Sequence, residues 1–217
     1  MKKYGLTGLA GAGKDTAGAI ISKMVETECA AIATPMKLLV HTLFSVTPED
    51  AEDRVLKEAV IVQNITHEAL QDTADLYYKL GLEAYMDFPE AWDQWYKLLD
   101  IQLPVEDSGK LTVNKSLRQL YQAIGTGWGR TTDADIWIKL FPVGKIATDV
   151  REENEATYLI KNGYDILRIM NDRVVPVNTH SSENGLPDHL VMINVPNHGE
   201  LIDLHWELES IVKNDLR

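Results

Sequence analysis

Gly8-Leu9-Ala10-Gly11-Ala12-Gly13-Lys14-Asp15-Thr16 stands directly behind the apolar run Tyr4-Gly5-Leu6-Thr7 and ahead of Ala17, Ala19, Ile20, Ile21, Met24 and Val25, which recur at helical spacing. Residues of these types in this order can bind phosphate. Glycines let the backbone curl so that several N–H groups converge on an anion. Lys14 adds a point charge near the outer phosphates, and a helix starting around Lys14 contributes the positive end of its dipole. In the strict pattern a hydroxyl residue follows the lysine directly and holds magnesium; here Asp15 intervenes and the hydroxyl arrives at Thr16. Gly8, Gly11, Ala12, Gly13, Lys14, Asp15 and Thr16 are therefore the candidate phosphate-binding residues, with Asp15 and Thr16 as metal ligands. A plain tight turn between strand and helix is the competing reading, and the coincidence of strand, glycine spacing, lysine and helix favours the phosphate loop.

Ser116 to Arg130 is the second chemically suggestive stretch. Leu117, Leu120, Tyr121 and Ile124 make one apolar stripe, which places Arg118 and Gln122 a turn apart on the polar side. A guanidinium can grip a phosphate with a fork of donors, and an amide four residues on can pair with a base edge, a combination suited to a nucleoside monophosphate. A merely solvated helix face is the alternative. Gly125, Gly127 and Gly129 are expected to end the helix in a loop that approaches a ligand closely, with Arg130 at its far end. Further on, Gly144-Lys145-Ile146-Ala147-Thr148 reads as a buried strand running into Asp149 and Arg151. In an open parallel sheet the ligand lies off the carboxyl ends of the strands, so Asp149 and Arg151 should face the crevice of the phosphate loop. There Asp149 can hold magnesium or, alternatively, cap a helix. Lys37, opening a helix near another strand end, is either a solvated lysine or a second group near a substrate phosphate.

These groups must be positioned by strands alternating with helices. Ala30 to Ala33 reads as a short second strand, Met36 to Phe44 as a helix, Tyr164 to Met170 and Leu190 to Asn194 as strands, and residues 200 to 213 as a closing helix. Between Pro48 and Asp100 the pattern is helical, with Val55, Ala59, Val62 and Ile65 on one face. The aromatic cluster Phe88, Trp92, Trp95, Tyr96 reads as core packing of that insert, because acidic neighbours Glu90 and Asp93 would repel a nucleic-acid backbone. Pro104 to Gly109 is the clearest linker, and Asn171 to Pro187 reads as a mobile loop carrying Arg173, His180, Ser181 and Glu183. The expected architecture is α/β, a P-loop NTPase fold with a mostly parallel sheet of about five strands flanked by helices. Its core would comprise residues 1–41 and 111–217, with an acidic helical insertion at 42–110 that is acceptor-side or partner-facing.

The chain has 217 residues, 45% of them hydrophobic, with a formal charge of −12. That length and composition allow a closed core, and the charge argues against a binder of nucleic-acid polymers. Residues 42 to 110 hold fifteen acidic against five basic side chains, so −10 of the charge lies there, while five of the seven arginines fall between 118 and 173. No run reaches the length of a membrane span and the N-terminus enters a strand at once, so a soluble, cytoplasmic protein without a membrane partner is expected. Cys29 is the only cysteine, which precludes an intrachain disulfide, and its apolar setting suits a buried core residue.

Taken together, GLAGAGKDT at Gly8–Thr16, LRQLYQAIGTGWGR at Leu117–Arg130, TDVREENEA at Thr148–Ala156, THSSE at Thr179–Glu183 and the Ile193-Asn194 pair resemble the deoxynucleoside monophosphate kinases of tailed bacteriophages. The resemblance spans most of the chain and is weakest from 42 to 110. It implies transfer of the γ-phosphoryl group of ATP to a deoxynucleoside 5′-monophosphate, with magnesium as cofactor and small-molecule nucleotides as partners. For a phage protein it also implies residence in the host cytoplasm; self-association as a homodimer is left open. Lys14 and the glycine amides would cradle the donor phosphates, with magnesium near Asp15, Thr16 or Asp149. Arg118 and Arg130 would grip the acceptor phosphate, with Gln122 and Trp128 at its base and Lys37 as a further substrate group. Arg151 and a lid arginine, Arg173 or Arg168, would stabilise the transferring group. Asn194 and Asn197 would neighbour the adenine, and His180 would either structure the lid or act in catalysis, although this chemistry demands no general base. One departure is Asn171, which stands where relatives tend to carry an arginine. A kinase for another small acceptor, of the dephospho-coenzyme A or shikimate type, and a non-catalytic nucleotide-binding switch are the alternatives.

Overall fold

The structure is a computed structural model that describes residues 2–103, 110–174, 185–198 and 200–215. In chain order it contains β1 (Lys3–Thr7), α1 (Lys14–Val25), β2 (Cys29–Ala30), α2 (Thr34–Phe44), α3 (Pro48–Glu52), α4 (Arg54–Glu58), β3 (Ile61–Ile65), α5 (His67–Lys79) and α6 (Phe88–Leu98). Then come β4 (Leu111–Lys115), α7 (Leu117–Gln122), a π-helical stretch Ala123–Arg130, α8 (Ile136–Lys139), β5 (Ile146–Ala147), α9 (Glu153–Lys161), β6 (Tyr164–Met170), β7 (Ile193–Pro196) and α10 (Leu201–Asp215). Contacts divide the chain into two compact units, Met1–Ile32 with Phe141–Arg217, and Ala33–Leu140. The sequence boundaries at 42 and 110 thus lie inside the second unit.

The first unit is built on a five-stranded, wholly parallel sheet of order β2-β5-β1-β6-β7. The central β1 runs in register with β6 from Lys3 opposite Tyr164 to Thr7 opposite Arg168. Its apolar character follows from cover on both faces. Tyr4 and Leu6 bury into a core with Ala17 and Ile21 of α1 and Leu204 and Leu208 of α10. A Cβ on Gly5, whose direction alternates with theirs, would instead meet Ile166, Val150 and Leu159, the last on α9. Because every strand points the same way, Thr7, Ala147, Met170 and Pro196 end at one edge, and the segments that follow them carry the candidate donor-side groups. The α/β parallel architecture expected from the sequence is therefore present. Cys29 corrects one expectation: it is exposed, because β2 is a two-residue edge strand with one neighbour.

The second unit is mainly helical and closes around aromatic rings. Tyr77, Phe88, Trp95 and Trp128 are buried and meet edge-on or tilted, with ring centroids 5.2–6.1 Å apart. Core packing, read from the sequence for Phe88 and Trp95, is the role of all four, whereas Trp92 and Tyr96 of the expected cluster are only half-buried. Two expectations fail here. Residues 61–65 are not helical but form an antiparallel ribbon with β4, Ile61 opposite Lys115 and Ile65 opposite Leu111. The β-branched run Val60-Ile61-Val62 favours a strand, and its partner lies some fifty residues on, outside any local periodicity.

Gly125, Gly127 and Gly129 do not end the helix of α7 either; the chain continues as a π-helix to Arg130. Close packing explains Gly129. A Cβ on Gly129 would stand 2.3 Å from Cζ2 of Trp137, whose indole N–H donates to the Gly125 carbonyl at 2.8 Å. Gly129→Ala should accordingly lower stability by about 2 kcal/mol, read as a lower urea midpoint with unchanged slope. An unaltered midpoint would mean that Trp137 repacks freely.

Candidate functional site

In the first unit, β1 delivers the chain into a loop that only glycine can follow. Gly8, Gly11 and Gly13 have φ of 140°, 84° and 98°, and a Cβ on Gly8 would lie 2.4 Å from the Ile169 carbonyl oxygen. Lys14 opens α1 and folds back, its Nζ donating to the carbonyls of Gly8 and Leu9 at 2.9 Å each. Burial, and then the Arg151 guanidinium, pull its pKa below the ordinary lysine value, while the Asp15 and Asp149 carboxylates oppose them. Asp15, Asp149 and Arg151 are thus close enough for Lys14 to feel their charge.

Two further contacts fix this arrangement. Asp149 Oδ1 accepts from the Ile32 amide at 2.6 Å, so the carboxylate is oriented by the end of the β2 segment and does not cap α9. The buried Glu155 carboxylate accepts from the amides of Arg151 and Glu152 at 2.9 and 3.1 Å, closing a capping box that locks the backbone bearing Arg151. The phrase TDVREENEA is thereby explained as a rigid mount for two charged side chains.

Asn197 was expected near an adenine. Instead it is buried behind the loop, its Nδ2 donating to the Ala12 carbonyl at 2.8 Å, and a Cβ on Gly13 would come within 2.5 Å of that nitrogen. Nothing local to Asn197 announced this brace, since its partner is 185 residues away. Asn194 lies exposed on β7 opposite Arg168. Arg168 is itself tied down, Nη1 to Asp188 Oδ1 at 2.5 Å and Nη2 to the Leu186 carbonyl. Arg173 is exposed, and its neighbour Val174 reaches within 3.8 Å of where a Cβ on Gly11 would stand. Of the two lid arginines, Arg173 is therefore the one whose neighbour adjoins the loop, while Arg168 is held by Asp188 and Leu186. His180, Ser181 and Glu183 lie outside the described residues, as does the linker Pro104–Gly109.

Among the described residues no group of three or more His, Cys, Asp or Glu is placed to hold a metal. That donor set still fits magnesium, which usually takes one or two carboxylates and completes its shell from phosphate and water. Asp15, Asp149 and the exposed first-turn hydroxyl of Thr16 are the groups available.

The second unit carries the remaining candidates. Arg118 pairs with Glu58 of α4 at 2.5 Å, both side chains being exposed. One turn on, the Tyr121 hydroxyl meets His41 Nε2 of α2 at 2.5 Å. Burial pushes the Tyr121 phenol up to about 12. Burial, followed by the Lys37 and Lys57 ammonium groups, pushes the His41 imidazolium down. Gln122 and Lys37 are exposed, and Arg130 is half-buried at the end of the π-helix.

No protein-family profile matches the chain. Deoxynucleoside-5′-monophosphate kinase of Escherichia phage T5 is 27% identical to it over 214 residues, with 84% of each chain covered. Over most of its length the chain is similar to a nucleotide kinase. That relationship agrees with the resemblance read from the residues, and with a parallel sheet that presents a glycine loop and a lysine at its carboxyl edge. Trp128 departs from the role the resemblance gave it. It is 0% exposed, its ring packed on Tyr77, Trp95 and Trp137, so its faces are covered by protein and cannot stack on a base. Among the described residues no helix is long and apolar enough to cross a membrane.

Proposed function

We propose that the protein transfers the γ-phosphoryl group of ATP to a deoxynucleoside 5′-monophosphate, giving ADP and the diphosphate. One observation carries the reading: a loop of three positive-φ glycines closed by Lys14, whose charge is coupled to Arg151, Asp15 and Asp149. The similarity to the phage T5 kinase over 84% of the chain supports the choice of acceptor.

Phosphoryl transfer needs little covalent help from protein groups. It needs two anions held in line, charge neutralised at the transferring group and water kept out. Donor recognition belongs to the first unit. The Gly8–Lys14 amides cradle the phosphates, Asn197 stiffens the loop through Ala12, and Lys14 neutralises charge that grows on the outer phosphate. Arg151 and Arg173 add positive charge at the transferring group. Magnesium, when bound near Asp15, Thr16 and Asp149, supplies charge neutralisation between the donor phosphates. Acceptor recognition belongs to residues of the second unit, with Arg118, Arg130 and Lys37 for the phosphate and Gln122 for the base. A general base is not required, because the attacking oxygen already belongs to an anion.

Coupled ADP release from magnesium–ATP, measured with the four deoxynucleoside monophosphates, their ribose counterparts, shikimate and dephospho-coenzyme A, tests the assignment. Release that depends on a deoxynucleotide is expected. Release driven only by shikimate or dephospho-coenzyme A would reassign the acceptor, and silence with every acceptor would contradict the kinase reading. Gln122→Ala should change the ranking of bases by about tenfold while altering maximal rate much less, since an exposed amide distinguishes base edges and does not touch the transferring group. An unchanged ranking would place base recognition elsewhere.

A further inference from the structure

The second unit is acidic, with seventeen Asp and Glu against ten Lys and Arg from Ala33 to Leu140, yet one place in it gathers cations. Three helices meet there. Arg118 of α7 pairs with Glu58 of α4, and one turn further along α7 Tyr121 bonds His41 of α2. Lys37 lies one turn before His41 on α2, and Lys57 directly precedes Glu58. The fields of both lysines reach the His41 ring.

The short helix α4 shows which residue this place calls for. Val55 is 77% exposed and Leu56 is 40% exposed, while Lys57 beside them is half-buried. A five-residue helix that half-buries its lysine while Val55 lies mostly in water and Leu56 partly so reverses the usual preference. Two amides of its first turn, of Val55 and Leu56, donate to the Asp53 carboxylate, so a cap helps fix the helix's orientation. Glu58 is the local anion. Its pair with Arg118 is solvent-exposed on both sides, the class of ion pair worth about 0–1 kcal/mol and readily exchanged for a stronger partner.

We infer that Lys57 joins Lys37 and Arg118 as a binding residue for the acceptor's 5′-phosphate, and that the Glu58 carboxylate holds Arg118 in place until that phosphate displaces it. The inference rests on the nucleotide kinase reading and deepens it: a phosphate dianion outcompetes a single carboxylate for a guanidinium because it offers more charge and a bidentate face.

Calorimetric binding of a deoxynucleoside monophosphate, of the same deoxynucleoside without phosphate, of inorganic phosphate and of ATP, to the full-length wild type and to Lys57→Gln, Lys57→Arg and Glu58→Gln, tests this. Lys57→Gln should weaken the monophosphate about tenfold, leave nucleoside and ATP unchanged, and be largely rescued in Lys57→Arg. Glu58→Gln should tighten the monophosphate about threefold. Equal monophosphate affinity in wild type and Lys57→Gln would overturn the inference while leaving the kinase reading intact. A Glu58→Gln protein that binds the monophosphate more weakly would overturn the displacement step. A wild type that binds ATP but no monophosphate would remove both the inference and the acceptor assignment.

Discussion

Lys14→Ala should lower turnover by about two to three orders of magnitude, the size of effect seen when one preorganised charge aimed at a transition state is removed, with the fold intact. The fold should survive because burial holds the Lys14 pKa below its ordinary value, which means that the native state is less hospitable to this charge than water is. Its two hydrogen bonds to the Gly8 and Leu9 carbonyls are therefore not a large net source of stability. Steady-state rates with saturating ATP and acceptor, beside a thermal melt, check both halves. A Lys14→Ala protein with near-normal turnover would take the loop out of the mechanism, and one that fails to fold would show that the lysine closes the loop structurally.

Gly8→Ala is expected to cost about 3 kcal/mol and to lower the melting midpoint by about 9 °C. Two causes add: a φ of 140° that side chains rarely adopt, and a Cβ forced to within 2.4 Å of the Ile169 carbonyl, a backbone atom of β6 that cannot swing aside. Gly163→Ala is the matched control, with a φ of 80° and nothing within 4 Å of the added atom, so it bears only the conformational term of about 1 kcal/mol. Gly8→Ala should also weaken ATP, since relief of the clash moves loop amides off their anion. Equal melting shifts in the two variants would show that the Gly8 contact carries no cost of its own.

What the sequence made legible was whatever short-range chemistry dictates. The order strand, glycines, lysine, amphipathic helix can hardly be built another way, so β1, the loop and α1 stand where residues 4–25 placed them. Asp149 and Arg151 could be put beside Lys14 because parallel strands share one carboxyl edge. The failures lie where a distant partner overrides the local pattern. Ile61–Ile65 pair with Leu111–Lys115, which no helical window can see. Gly129 is small to admit Trp137, Gly125 packs against Met36, and neither breaks the helix, while Trp128 belongs to the core. Asn197, which the resemblance puts beside the adenine, instead braces the Ala12 carbonyl. In each case the missing information was a neighbour's surface, and a residue type alone cannot report that.

The most direct test of the account is to follow phosphorus resonances of magnesium–ATP and a deoxynucleoside monophosphate during turnover by the wild-type protein. The account predicts loss of the monophosphate signal and growth of the two linked resonances of a deoxynucleoside diphosphate, one for each ADP formed. ADP accompanied by inorganic phosphate, with the monophosphate untouched, would contradict it, because the loop at Lys14 would then be serving hydrolysis and not transfer.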